Sequence, residues 1–178
     1  MTNVRDWRIE LIEAHPRLFC APEGPERPDG YAWCEVGWRD LLERMCVRIE
    51  AALGEGETIR FSQIKEKFAG LRVYWRGDVS PETAVRIHEA IALAQARSGC
   101  TCEQCGAEGR LHDNAGVYMT RCTAHAKGAP VPVEPGQENV HLVRIPTAGD
   151  YRIAPRRYDV ESDRFVDAPP SSPEIEEQ

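Results

Sequence analysis

The sequence predicts a small α+β protein, a helical and β-hairpin domain followed by a compact cysteine-rich module. Three observations carry that expectation. Residues 38–53, WRDLLERMCVRIEAAL, repeat apolar side chains at helical spacing. Residues 57–76, ETIRFSQIKEKFAGLRVYWR, switch to aromatic and β-branched residues. Residues 102–125, CEQCGAEGRLHDNAGVYMTRCTAH, open with Cys-x-x-Cys and close with Cys-x-x-His.

Taken in order, Asn3 can cap a helix to about Ala14, with Asp6 in its first turn and Val4, Trp7 and Leu11 on one face. Pro16 ends it by disfavouring helical backbone at His15. Residues 20–37 carry Pro22, Pro25, Pro28, Gly24 and Gly30 and read as an irregular loop. In the helix over 38–53, Trp38, Leu41, Leu42, Met45, Ile49 and Leu53 line the buried side, and Gly54 and Gly56 stop it. Two strands, 58–67 and 71–76, turn near Ala69-Gly70; a short helix over SQIKEKF is the competing reading. Ser80 caps a helix with Pro81 in its first position, running to Arg97 with Ala84, Ile87, Ile91 and Ala94 inward. Beyond the cysteine module, residues 138–146 read as a strand. Residues 151–169 read as a hairpin turning at Glu161-Ser162-Asp163. The expected organisation is an α+β domain over 1–98, the cysteine module over 99–126, an extension with short strands over 127–168, and a disordered acidic tail over 169–178.

Bulk properties narrow the function. Of 178 residues, 42% are hydrophobic, which suits a modest core. The formal net charge of −7 repels nucleic acid, so any such binding needs a local patch. No run approaches the roughly 18 apolar residues of a membrane span, and charges through residues 1–19 argue against a secretory leader. Seven cysteines without a leader point to metal ligation in a reducing cytoplasm and away from a disulfide framework.

Zinc takes soft ligands in a tetrahedron, and two cysteines separated by two residues can turn both sulfurs onto one ion. Cys102 and Cys105 have that spacing, with Gly106 after them, and Cys122 and His125 repeat it. The span between the pairs suits a hairpin, giving a zinc-ribbon or treble-clef-like module that binds Zn²⁺. Cys100 and His112 remain alternative ligands. Cys20, Cys34 and Cys46 read as small apolar residues packed inside. Four protein ligands, with no general base in a His-x-Glu or His-Glu-x-x-His arrangement, point to a closed structural site.

Residues 60–76 locally reverse the sign of the chain. Arg60, Lys65, Lys67, Arg72 and Arg76 stand against Glu66, interleaved with Phe61, Phe68, Tyr74 and Trp75. Cations against phosphates and aromatic faces against bases would make Arg60, Lys65, Lys67, Arg72, Tyr74 and Arg76 a partner-binding surface. The alternative is a half-buried strand pair with a core face of aromatics and a solvated face of charges. His15, His88 and His141 read as surface residues, not ligands.

The segments QIKEKFAGLRVYW, SGCTCEQCGAEG and TRC resemble a family of uncharacterised phage and prophage proteins. Its pattern has Pro-x-Leu-Phe near the start, Gly-Trp before a Leu-rich helix, a Lys-Glu-Lys-Phe-Gly-x-Leu-Arg-Phe-Tyr block, then Cys-Glu-x-Cys-Gly and a later Cys pair. The matches are Pro16, Leu18 and Phe19; Gly37 and Trp38; Lys65 to Phe68, Gly70, Leu71, Arg72 and Tyr74; Ser98; and Cys102, Glu103, Cys105 and Gly106. The chain departs at Ala69, where the pattern has Gly, at Val73, where it has an aromatic, and at His125, where it has Cys. The resemblance implies a phage-linked zinc protein acting inside a bacterial host, and no particular activity.

The expectation is therefore a zinc-stabilised, non-enzymatic binding protein that contacts a host protein or nucleic acid, away from membranes. Two alternatives stand beside it. One is a degenerate HNH-type nuclease with LeuHisAspAsn (111–114) between the cysteine pairs. The other is a purely structural or assembly protein.

Overall fold

The computed structural model describes residues 5–20, 27–147 and 150–168. Asn3, Val4 and the acidic tail expected to be disordered lie outside the described residues. Helix α1 (Trp7–Ala14) is capped by Asp6, whose carboxylate accepts from the Arg8 N–H, so Asp6 precedes the helix and does not lie in the expected first turn. The Tyr31 hydroxyl donates to the same carboxylate at 2.6 Å, tying the cap to the segment just before Ala32.

The loop expected at 20–37 is not irregular throughout. Ala32–Trp33 form a short strand, β1, parallel to the next one. A 3-10 turn (Val36–Trp38) leads into α2 (Arg39–Ala52). Strands β2 (Thr58–Lys67) and β3 (Gly70–Asp78) form the antiparallel hairpin, which excludes the short helix over SQIKEKF; their register shifts between Phe61 and Gln63. Helix α3 (Pro81–Ser98) has Ser80 as its cap, with the hydroxyl accepting from the Thr83 N–H. Glu57 joins the end of α2 to the start of α3. Its carboxylate accepts 2.7 Å bonds from the N–H groups of Ser80 and Gly54, which hold its pKa down at about 2.

Helices α2 and α3 pack on one another. With α1 and the β1-β2-β3 sheet they enclose Leu18, Phe19, Trp38, Leu42, Met45, Ile49, Ile59, Phe61, Ile64, Leu71 and Ile87. Each such burial contributes about 1.5–3 kcal/mol of transfer free energy. His15, expected at the surface, is buried at the edge of this core. Its Nδ1 lies 2.9 Å from Glu50 and its Nε2 3.0 Å from Glu43, both on α2.

Strands β4 (Arg110–Asn114), β5 (Val117–Arg121) and β6 (Ala129–Pro130) form the second sheet, ordered β5-β4-β6. Strands β7 (Val140–Thr147), β8 (Asp150–Asp159) and β9 (Arg164–Asp167) form the third. The third sheet rests on α3 through Leu93, Ala96 and Tyr158. Its β8–β9 turn inserts Asp163 among three arginines. The carboxylate, 8% exposed, lies 2.8 Å from Arg48, 3.4 Å from Arg44 and 3.7 Å from Arg97. Among the described residues no helix is long and apolar enough to cross a membrane.

Candidate metal centre and basic sheet face

The cysteine module begins where α3 ends. Cys102 donates its N–H to Ala107 and accepts from the Gly106 N–H, both at 2.8 Å, which closes a tight turn around Cys102 and Cys105. Gly106 completes that turn at a φ of 80°, a conformation costly for a residue with a Cβ. Strands β4 and β5 then run out and back, setting Arg110 opposite Arg121, so Cys122 returns beside the first turn. The N–H groups of His125 and Ala126 bond to the Cys122 carbonyl at 3.1 and 2.9 Å, making a second turn of the same kind. The chain continues from His125 into β6, not into a helix.

These turns bring Cys102, Cys105, Cys122 and His125 together, with one ligand atom from each within 4.8 Å of the others. Among the described residues this is the one group of three or more metal-capable side chains. A tetrahedral Zn²⁺ with bonds of about 2.3 Å to sulfur and 2.0 Å to nitrogen needs S···S edges of about 3.8 Å and S···N edges of about 3.5 Å. Cys105 Sγ lies 3.7 Å from Cys122 Sγ, and His125 Nδ1 lies 3.7 Å from Cys102 Sγ and 3.3 Å from Cys122 Sγ. The cluster can hold a metal ion such as zinc.

Burial opposes ionisation of Cys102, but N–H donors at Cys122, Cys105 and Gln104 and the His125 ring outweigh it and bring the thiol down to about 6. At Cys105 an N–H from Ala107 favours the thiolate, but burial and the neighbouring Cys102 and Cys122 prevail and raise the thiol. Three adjacent sulfurs cannot all ionise without a cation between them.

Comparison with family models, with curated proteins and with solved structures returns no match. The residues themselves carry the functional argument.

The two alternative ligands lie elsewhere. Cys100 points back at α3, with Sγ 3.2 Å from the Arg97 carbonyl, and burial raises its thiol. His112 is buried on β4 with Nδ1 2.9 Å from the Arg110 carbonyl. Cys34 and Cys46 are buried and Cys20 half-buried; burial, then the charge of Glu103, pushes Cys34 up to about 12.

The residues that seat this module on the helical layer were not singled out by spacing. Gly37 donates to the Glu103 carbonyl at 2.7 Å, and the Trp38 indole donates to the Thr101 carbonyl at 2.9 Å. Glu103 accepts from the Glu35 N–H at 3.1 Å and pairs with Arg121 at 2.8 Å, and Arg121 also reaches Glu35 at 2.8 Å. The backbones meet so closely that a Cβ on Gly37 would lie 2.2 Å from the Cys102 carbonyl oxygen. The Gly-Trp and Cys-Glu-x-Cys-Gly landmarks are thus the two halves of one contact. Their presence in the sequence was the available signal, although it gave no pairing.

The basic block divides between two faces. Ile59, Phe61, Ile64 and Leu71 are fully buried, and Trp75 packs against the core with the His88 ring tilted 55° to its own at 5.6 Å. The expected partner-binding residues share the other face. Arg60 stands opposite Arg76, Gln63 opposite Tyr74, and Lys65 opposite Arg72, with Lys67 at the turn. Trp33 of β1 stands beside Lys65 and is 55% exposed, an aromatic outside the predicted block.

Proposed function

We propose that the chain is a zinc-stapled, non-enzymatic binding protein, phage- or prophage-linked, that acts inside a bacterial cell on nucleic acid or a host protein. The observation that carries it is the convergence of Cys102, Cys105, Cys122 and His125 to within 4.8 Å, with the Cys105–Cys122, Cys102–His125 and Cys122–His125 separations of 3.7, 3.7 and 3.3 Å close to the edges of a zinc tetrahedron. Four protein ligands fill a tetrahedral ion and leave no position for an attacking water, which favours a structural role. Bound there, zinc would neutralise the clustered sulfurs and hold both turns in a ribbon-like module. Glu103, Arg121 and Gly37 then pass that rigidity to the start of α2. The phage link rests on the family resemblance alone, carried by Pro16, Leu18 and Phe19, by Gly37 and Trp38, by Ser98, and by the 65–74 and 102–106 segments.

A nuclease would need His112 to reach a phosphodiester. Its side chain is buried, which gives that reading no support.

Elemental analysis of purified protein tests the proposal. One zinc per chain is expected, lost in Cys102→Ser and retained in Cys100→Ser. Less than a tenth of an equivalent in the wild type would overturn it.

A further inference from the structure

The geometry points to single-stranded nucleic acid as the occupant of the outward face of the β1-β2-β3 sheet, with Trp33 and Tyr74 as stacking platforms and Lys65 and Arg72 between them. This rests on the binding reading above and names its partner class.

Charge is the first argument. Directly opposed like charges destabilise a β-ladder, yet this face sets Arg60 against Arg76 and Lys65 against Arg72. Lys67 and Arg27 add to it, and among the described residues the acid paired on this face is Asp29, 2.9 Å from Arg76. In a protein of net charge −7, such a concentration of cations creates a site for a polyanion.

The aromatics are the second argument. Tyr74 is 51% exposed and Trp33 55% exposed, although each sits in a sheet whose other face offers a core. Cations already lie over them: the Arg27 guanidinium is 4.6 Å from the Trp33 ring centre and Lys65 Nζ is 5.9 Å from that of Tyr74. Two strand spacings and two residues of rise separate Trp33 from Tyr74, about 12 Å. That span accommodates a base on each ring with the intervening backbone over Lys65 and Arg72. Phe68, 74% exposed at the hairpin turn beside Lys67, extends the row.

Geometry also selects the strandedness. A sheet face with flat exposed rings stacks unpaired bases, whereas a duplex keeps its base faces stacked on each other. An acidic polypeptide would satisfy the cations but would leave Trp33 and Tyr74 without a role.

The test uses the 178-residue chain loaded with zinc and fluorescence anisotropy with labelled 12-nucleotide single-stranded DNA and RNA, the matching duplex, and polyglutamate as competitor. We expect single strands to bind more tightly than duplex. Four phosphates neutralised give a log–log salt slope of about −3, so affinity falls about 50-fold between 50 and 200 mM salt. Trp33→Ala and Tyr74→Ala should each weaken binding about tenfold. Lys65→Gln should shallow the slope by about 0.7. Unchanged affinity in both aromatic variants, a preference for duplex, or equal competition by polyglutamate would overturn the inference; the last outcome would assign the face to an acidic protein. Absence of binding with zinc content intact sinks this inference alone. Absence of zinc sinks the earlier proposal whatever the anisotropy shows.

Discussion

Gly37→Ala tests how the metal module is attached to the rest of the fold. The added methyl would meet the Cys102 carbonyl at 2.2 Å, the Glu103 carbonyl at 2.4 Å and the Gly106 nitrogen at 2.5 Å. All three are backbone atoms of the turn that carries Cys102 and Cys105, so no side chain can swing aside. A normal carbon–oxygen contact needs about 1 Å more, slightly below the 3.5–4.0 Å of favourable carbon–carbon contacts. Displacing the turn by that amount breaks the bonds from Gly37 to Glu103, from Trp38 to Thr101 and from Glu35 to the Glu103 carboxylate. At about 1 kcal/mol each, the loss is about 3 kcal/mol. For a chain of this length that lowers Tm by about 6–12 °C. Differential scanning calorimetry on the zinc-loaded protein measures it, with zinc content checked alongside. A Tm within 2 °C of the wild type would refute the close-contact argument.

Other expectations follow from the same structure. Stripping the metal with a chelator should lower Tm by about 10 °C, the shift expected for a ligand present at 1,000 times its Kd. Hydrogen exchange should rise over 100–126 before it rises in α2, and an unchanged Tm would count against a metal-held module. Asp163→Asn should cost about 2 kcal/mol, because it removes the charge facing Arg48 while the turn conformation stays accessible. Burial opposes ionisation of Asp163, but the Tyr158 hydroxyl and Arg48 outweigh it and lower its pKa below the ordinary 3.8. A depressed folded value means the contribution is full above 3.8 and is lost as the pH falls further, so the Tm gap between wild type and variant should narrow below pH 4. A gap that instead widens on acidification would contradict that sign. Ala69 and Phe68 form the β2–β3 turn with φ values of 62° and 53°. Ala69→Gly should relieve about 1 kcal/mol of left-handed strain, partly offset by the entropy of Gly, and raise Tm by 1–3 °C, measured by thermal circular dichroism.

What was legible in the sequence was local. Ser80-Pro81 starts a helix because the cap and the fixed φ act within one turn. The Cys-x-x-Cys and Cys-x-x-His spacings gather ligands because each pair needs only its own turn. The aromatic and β-branched residues of 58–76 point to two strands while leaving a short helix over SQIKEKF open, and the cross-strand register resolves the charge run into one face. Hidden features depended on distant partners. Ala32–Trp33 become a strand only because Ile64 and Lys65 offer an edge. Asp6 caps α1 with help from Tyr31, and His15 is drawn inside by two glutamates of α2. Glu103 stands in the sequence only as part of the Cys-Glu-x-Cys-Gly landmark, and its contacts with Glu35 and Arg121 come from segments far away along the chain.

The clamp at Asp163 bears on the order in which the chain can fold. Its bond to Arg48 spans 115 residues of sequence, whereas Cys102 and His125 are 23 apart. Closing the longer loop costs more chain entropy and comes after the elements it joins. During synthesis α2, the first sheet and the cysteine module all emerge before Asp163 does, so they assemble without it. The clamp is then a latch applied late, and a contact absent from the transition state governs how fast the native state opens. Asp163→Asn should therefore accelerate unfolding in denaturant and leave the refolding rate nearly unchanged, as stopped-flow kinetics would record.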